Sequence, residues 1–431
     1  MTLSAISQWT VRHRCLAVWS LRVVIGALFV VSGVVKAIDL WGFVYKIEEY
    51  LTVWDFMQPR SLVEMTAIGV SGAEFVLGAM LMVGAYRRSA VWGLLAMMCV
   101  MLPLTAYVYL YDPVSDCGCF GDFITLSNGA TFIKNIIITA ALIYLAADNR
   151  KVQGLYHPYM QWVVAALCCG YLLFVGLYGL MVQPMIDFRS FPSGSSLWGD
   201  TGGRDMEDVV FEFIYEKDGE RRTFTAENLP DSTWTFIDRT QSGGAPVTEW
   251  STEFYLTDGG EDVTGELADE TGDRLIIVLP QYSRADVSYT FVINELQQYV
   301  ESLGGDLIEV AAIDSSDIDA WRDLSMAAYP IYQGESTMLK ELARGVMAAV
   351  YLKDGRIEWK RSLGSIDADL LEKYLAGGDI NALDLYRTLD AHSFAVASGL
   401  LVAMLAALFL IGRTPSMLKW VRKNKNYENN E

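Results

Sequence analysis

The sequence predicts an α-helical membrane bundle of six spans that carries an α/β domain outside the bilayer. Three observations predict it. Six windows approach the ~20 apolar residues needed to cross a hydrocarbon core. Mean hydropathy is +0.25 with 52% hydrophobic residues over 431 residues, too apolar for an ordinary soluble domain. And about forty of the 52 acidic residues fall in one stretch between the last two windows.

The windows are roughly 16–38, 62–85, 89–111, 129–147, 159–182 and 391–412. The first is too long for a secretory leader and lacks an A-x-A-like cleavage site, so it is expected to stay as an anchor. Between the first two, Trp41, Phe43, Val44, Ile47, Tyr50, Leu51 and Trp54 recur at helical spacing around Lys46, Glu48 and Glu49. This is the pattern of an interfacial helix, either an aromatic anchor or a roof over the bundle. The third and fourth windows flank Asp116-Cys117-Gly118-Cys119-Phe120-Gly121-Asp122.

After the fifth window, 183–205 is rich in proline and glycine and reads as a linker. Strands are expected at 209–215 and 222–225 around Lys217-Asp218-Gly219, and at 234–238 and 253–256, with Asp258-Gly259-Gly260 as a turn. From Asp273 the pattern becomes strand 274–279, helix 289–303 and parallel strand 307–313. Helices at 317–328 and 336–344 follow, then a hairpin of 346–352 and 356–361. The domains are therefore 1–150, the four-helix membrane part; 151–184, the fifth span; 185–272, linker and β-rich part; 273–389, an α/β unit; and 390–431, the sixth span with a basic tail.

Orientation follows from where the basic residues sit. Arg12/Arg14, Arg87/Arg88, Arg150/Lys151 and the tail from Arg413 through Lys425 fall on one side if the spans alternate. Both termini are then cytoplasmic in a bacterial inner membrane, and the Cys117 loop and the acidic domain are periplasmic. The formal charge of −19 excludes nucleic acid as a partner and should hold the acidic domain off anionic headgroups, leaving it to dock an envelope or periplasmic protein. The basic tail fits retention by anionic membrane lipid.

Topology places only Cys117 and Cys119 outside the membrane on the periplasmic side. Cys15 is cytoplasmic, and Cys99, Cys168 and Cys169 lie within spans. Two cysteines one residue apart close a small ring, so their disulfide is strained and oxidising. Gly118 and Gly121 give the ring backbone freedom, while Asp116 and Asp122 favour the oxidised form. Three readings stay open: a redox-active pair, a static pair that shapes the loop, and thiolate binding of Cu(I). His13, His157 and His392 are far from the loop.

Ionisable groups inside spans are costly and usually face a bundle interior. Glu74 lies mid-span, Lys134 a turn inside the fourth span, and Lys36 and Glu64 near the outer ends of theirs. They either converge beneath the cysteine loop, as a polar pocket for a quinone head group or a proton path, or snorkel and bond to neighbouring helices. No nucleotide-binding glycine loop, zinc-ligand set or Ser-His-acid constellation occurs, which argues against hydrolase chemistry.

Two resemblances follow. The 273–361 order of βαβ, helix and hairpin resembles the thioredoxin fold. The cysteine pair of that fold is replaced by Pro280-Gln281-Tyr282-Ser283-Arg284 and its proline before the hairpin by Gly345-Val346-Met347, so the domain cannot exchange disulfides. The first four spans, with Ser32-Gly33-x-x-Lys36-x-x-Asp39, an acid in the second span and Cys117-Gly118-Cys119-Phe120-Gly121-Asp122, resemble the DoxX/MauE group. The whole order is similar to long DoxX-family proteins of Bacteroidota. That resemblance implies a place near periplasmic thiol chemistry.

Two functions are carried forward. One is a thiol–disulfide oxidoreductase component with Cys117 and Cys119 cycling and Glu74 and Lys134 tuning them. In it, Lys36 and Asp122 are the positions for a quinone, the sole cofactor considered, and no metal is assigned. The other is a non-enzymatic membrane scaffold of an envelope complex with structural cysteines.

Overall fold

The protein is seen as a computed structural model that describes residues 3–56, 58–114, 117–124, 126–148, 153–198, 210–217, 220–225, 235–242, 254–268, 272–302, 304–366 and 392–413. The membrane part is built from α1 (Leu3–Ile38), α2 (Leu40–Val53), α3 (Arg60–Val83), α4 (Arg87–Tyr111), α5 (Asn128–Asp148) and α6 (Gln161–Met181). All but α2, together with a last helix at His392–Arg413, are long and apolar enough to cross a membrane, which makes six candidate spans among the described residues. Their buried faces meet in one core that includes Phe29, Phe75, Leu94, Leu142 and Leu172.

Glycines set the closest helix contact. A Cβ on Gly33 of α1 would lie 2.6 Å from the Phe75 nitrogen, and one on Gly78 of α3 would lie 2.7 Å from the Phe29 Cβ. Small residues let the two backbones approach, which presses the Ser32–Lys36 turn of α1 against Ser71 and Glu74 of α3. Gly84, at φ +71°, then closes α3 in a left-handed cap.

Beyond the fifth span come two sheets. The strands β1 (Val210–Lys217), β2 (Glu220–Thr225) and β3 (Thr235–Ser242) form an antiparallel sheet in the order β2-β1-β3. The second sheet holds β4 (Thr257–Asp258), β5 (Glu261–Asp262), β6 (Asp273–Leu279), β7 (Asp306–Ala311), β8 (Ile331–Gln333), β9 (Ala348–Lys353) and β10 (Arg356–Ser362). Its order is β10-β9-β6-β7-β8-β4-β5. Helices α7 (Thr264–Ala268), α8 (Thr290–Ser302), α9 (Ile318–Ser325) and α10 (Ser336–Leu342) connect the strands; His392–Arg413 is α11. β6 is apolar on both faces because both are covered. Leu275, Ile277 and Leu279 pack with α8 and α9, while Ile276 and Val278 pack with α10.

The expected β6–α8–β7 unit, with parallel strands, and the β9–β10 hairpin are present. The expected 209–225 hairpin is present too, its turn at 218–219 lying outside the described residues. At 253–256 no strand is seen among the described residues. Phe254 and Leu256 are buried as core residues and the Leu256 amide bonds the Thr264 hydroxyl, so pairing starts one residue later. The short β8 follows Pro330 and lacks the length of a readable pattern.

One expectation is corrected. The acidic domain does not stand off: it sits on α2 and the end of α6, because its own basic residues gather at that contact. Arg344 holds Asp39, at 2.7 Å from Nη2 to Oδ2, and Arg284 holds Glu48 at 3.0 Å. The Gln183 side chain donates to the Arg344 carbonyl at 2.8 Å and accepts from its amide at 3.1 Å. The Tyr45 hydroxyl bonds both the amide and the carbonyl of Gly345. α2 thus serves as the seat of the sheet domain, with Leu40, Trp41, Val44 and Tyr50 buried.

Candidate functional site

The loop between α4 and α5 folds back onto the end of α1 that faces the sheet domain. Gly118 adopts φ +68° and Gly121 φ +53°. At Gly118 both backbone and space exclude a side chain, since a Cβ would lie 2.7 Å from Lys46 Cγ of α2. This tight passage brings the sulfurs of Cys117 and Cys119 to 3.0 Å as two free thiols. Cys117 is 6% exposed and the Tyr50 hydroxyl stands 3.5 Å from its carbonyl.

The loop is held from below by buried polar groups. Ser32 reaches the Cys119 carbonyl at 2.6 Å and the Glu74 Oε2 at 2.7 Å. Lys36 Nζ donates to Glu74 Oε1 and Oε2 at 2.7 and 2.8 Å and to the Ser32 oxygen at 3.2 Å. Lys36 and Glu74 are 2% and 3% exposed, so Lys36 does not snorkel. Ser32 carries one proton for two acceptors, and the three donors of Lys36 leave that proton free for the cysteine loop.

Lys134 of α5 stands with its Nζ 4.5 Å from the centre of the Phe120 ring. It shares a cavity of about 40 Å³ with Ser32, Glu74, Met101, Cys119 and Asn135. Space of that size takes a few waters, each needing ~10–15 Å³ on this measure. It does not fit a quinone head group as it stands, and Lys36 is not part of its lining. The side chain of Asp122 lies outside the described residues. Glu64 is not part of the site: it pairs with Arg60 one turn away at 2.7 Å. Among the described residues no group of three or more His, Cys, Asp or Glu side chains is placed to hold a metal ion.

The two thiols are electrostatically unequal. The hydrogen bond to Cys119 and burial both push the Cys117 thiol up, so Cys117 keeps the shared proton. Cys119 is lowered to about 7, mainly by accepting that bond and further by the Lys134 and Lys36 charges, against burial and Glu74. A thiolate at Cys119 beside a protonated Cys117 is the arrangement that lets one sulfur attack and the other resolve.

Sequence reasoning named Cys117, Cys119, Glu74, Lys134 and Lys36, which the structure brings into one region, but left convergence and snorkelling of the charged groups both open. It did not reach the part played by Ser32, although Ser32 lies four residues before Lys36 on the same helix face. Nor did it reach Asn135, whose amide donates to the Thr105 hydroxyl at 3.2 Å across α4 and α5.

Residues 14–148 match the family model of the methylamine utilisation protein MauE, and residues 209–242 match a domain of unknown function. No curated protein and no solved structure matches the chain. The MauE match spans α1 to α5 and ends where the loop, its glycines and the Lys36–Glu74 pair are complete. Over residues 14–148, then, the chain is similar to the MauE/DoxX-like membrane family.

Proposed function

We propose that the protein is an inner-membrane component of periplasmic thiol–disulfide chemistry, with Cys117 and Cys119 as the exchanging pair. The observation that carries this reading is the 3.0 Å contact of two unequal thiols above a buried Lys36–Glu74–Ser32 chain. The Cys119 thiolate attacks a sulfur of a protein disulfide, forming a mixed disulfide and expelling one partner thiolate. Cys117 then gives up its proton and attacks the Cys119 sulfur, releasing the second partner thiol. Two electrons and the Cys117 proton pass from the pair to the partner, whose other thiolate is protonated from water; the reverse course oxidises a dithiol client.

The orientation is supported by charge. Arg87 and Arg413 line one cavity at the end of the bundle opposite Asp39 and the cysteine loop, which supports a cytoplasmic reading of that end and a periplasmic reading of the sheet domain. The sheet domain reads as a redox-inert thioredoxin-like module. Its parallel β6–β7 pair and antiparallel β9–β10 hairpin follow that order. Arg284, where thioredoxins keep their cysteine pair, and Gly345, near their proline, both touch α2. The module turns toward the membrane the face that would meet a disulfide, and its acidic outer surface is left for an envelope partner.

The second reading, a scaffold with structural cysteines, draws on the buried Asp39–Arg344 seat and on the lack of any cysteine after Cys169. Membrane-impermeant thiol labelling in intact cells separates the two. Cys117→Ser should trap Cys119 in a mixed disulfide, and wild-type thiols should turn over with mild reductant and reoxidise. A pair that stays inert to reductant, with no adduct in either Ser variant, leaves the scaffold.

A further inference from the structure

The end of the bundle away from the cysteines holds a cavity of about 580 Å³ that neither reading uses. Its polar lining comes from three stretches of chain: Arg87 at the start of α4; Gln153, Tyr156, His157 and Gln161 before and at the start of α6; and Arg413 at the end of α11. The fold fixes these pieces against one another. The Gln161 side chain accepts from the Tyr86 amide at 2.9 Å, joining the starts of α4 and α6. The Tyr156 hydroxyl donates to the Leu405 carbonyl at 3.0 Å, joining the middle stretch to α11. Beneath, the fully buried Arg22 donates to the Gln153 carbonyl at 3.3 Å.

α4 and α6 begin at this cavity, bringing the positive ends of two long helices to it against the negative end of α11, and the two guanidiniums of Arg87 and Arg413 line it. It lies where candidate membrane-crossing helices begin and end, at the end of the bundle that carries Arg87 and Arg413, and basic pockets between helices suit anionic headgroups. We infer that this cavity is a binding site for one phosphate group, held by Arg87 and Arg413 with the Gln161 amide nitrogen and the His157 side chain. The chemistry is that of a phosphate oxyanion, carried by an anionic glycerophospholipid or present as the free ion.

The test is thermal unfolding of the full chain in detergent at fixed ionic strength, titrated with phosphatidylglycerol in one arm and inorganic phosphate in the other. Arg87→Gln, Arg413→Gln and Arg88→Gln are compared, each referred to its own ligand-free midpoint so that a change in folding is read separately. Arg88 is exposed, sits outside the lining and changes the charge equally. Binding should weaken about fivefold in the first two variants and stay unchanged in the third. A response to phosphatidylglycerol alone identifies a headgroup site, and a response to both ligands a site open to the free ion. The inference is overturned if neither ligand stabilises the wild type, or if Arg88→Gln weakens binding as much as Arg87→Gln, which is diffuse surface attraction. Should Arg87→Gln not fold, Arg413→Gln at the far end of the chain carries the same comparison.

Discussion

Asp39 and Arg344 lie 305 residues apart and meet as a buried ion pair, with Nη2 and Nε each within 3.0 Å of Oδ2 and Nε 3.1 Å from Oδ1. Asp39 also caps α2, accepting from the Gly42 amide at 3.0 Å, so one carboxylate both starts the seat helix and holds the domain on it. Removing one partner of such a pair strands the other charge in the interior, at a cost of about 3–5 kcal/mol. Arg344→Ala should therefore release the sheet domain, seen as rapid proteolysis within 183–198 while α1 to α6 stay protected. Arg344→Lys should not restore protection, because an ammonium lacks the planar fork.

The same pair fixes a pH response. Burial pushes the Asp39 carboxyl up, but the Arg344 and Arg189 charges outweigh it and hold the group below the usual carboxylate range. A lowered carboxyl contributes stability above its unfolded value and loses it as pH falls through the folded one. Domain seating should persist from neutral pH down through the ordinary carboxylate range and fail only in stronger acid. Seating lost already at pH 6 would contradict this.

Alkylation of Cys119 should follow a titration near pH 7. Lys134→Gln and Lys36→Met remove charges that favour the thiolate and should move the midpoint up; Glu74→Gln should move it down. Rates of iodoacetamide labelling against pH, in a Cys-free background apart from 117 and 119, read all three shifts.

Ser32→Ala removes the bond that ties the Cys119 carbonyl to α1 and leaves that carbonyl short of a donor, while Lys36 still serves Glu74. The expected loss is about 1–3 kcal/mol, felt locally. Hydrogen exchange at 117–121 should rise with exchange in α4 and α5 unchanged. Gly118→Ala meets both a left-handed backbone and Lys46, and should displace the loop further than Ser32→Ala in the same measurement.

Within the sheet domain, Glu309 is fully buried and its carboxyl is pushed up to about 7 by burial, against the Trp321 indole that donates to it at 2.5 Å. The folded state holds this proton more tightly than the unfolded, so stability falls as pH rises from the ordinary value of 4.5 toward 7. Glu309→Gln should stabilise the protein at pH 8 and make little difference at pH 4, measured by denaturant unfolding. An equal effect at both pH values would remove the proton as its cause.

Sequence alone determined the candidate membrane spans and the βαβ and hairpin order of the sheet domain, and it nominated the set around Cys117 and Cys119. Each of these is written in local signals. Apolar length, residue periodicity, turn glycines and charges inside apolar runs act within a few residues of one another and need no partner to be read. The tertiary structure alone decided that Lys36 pairs with Glu74 instead of reaching the surface, that Ser32 links that pair to the loop, and that Arg344 seats an acidic domain on α2. Those outcomes are pairings between distant stretches, settled by which buried charge finds a partner. Net composition misled there, because a charge of −19 averages over the few arginines that make the contact.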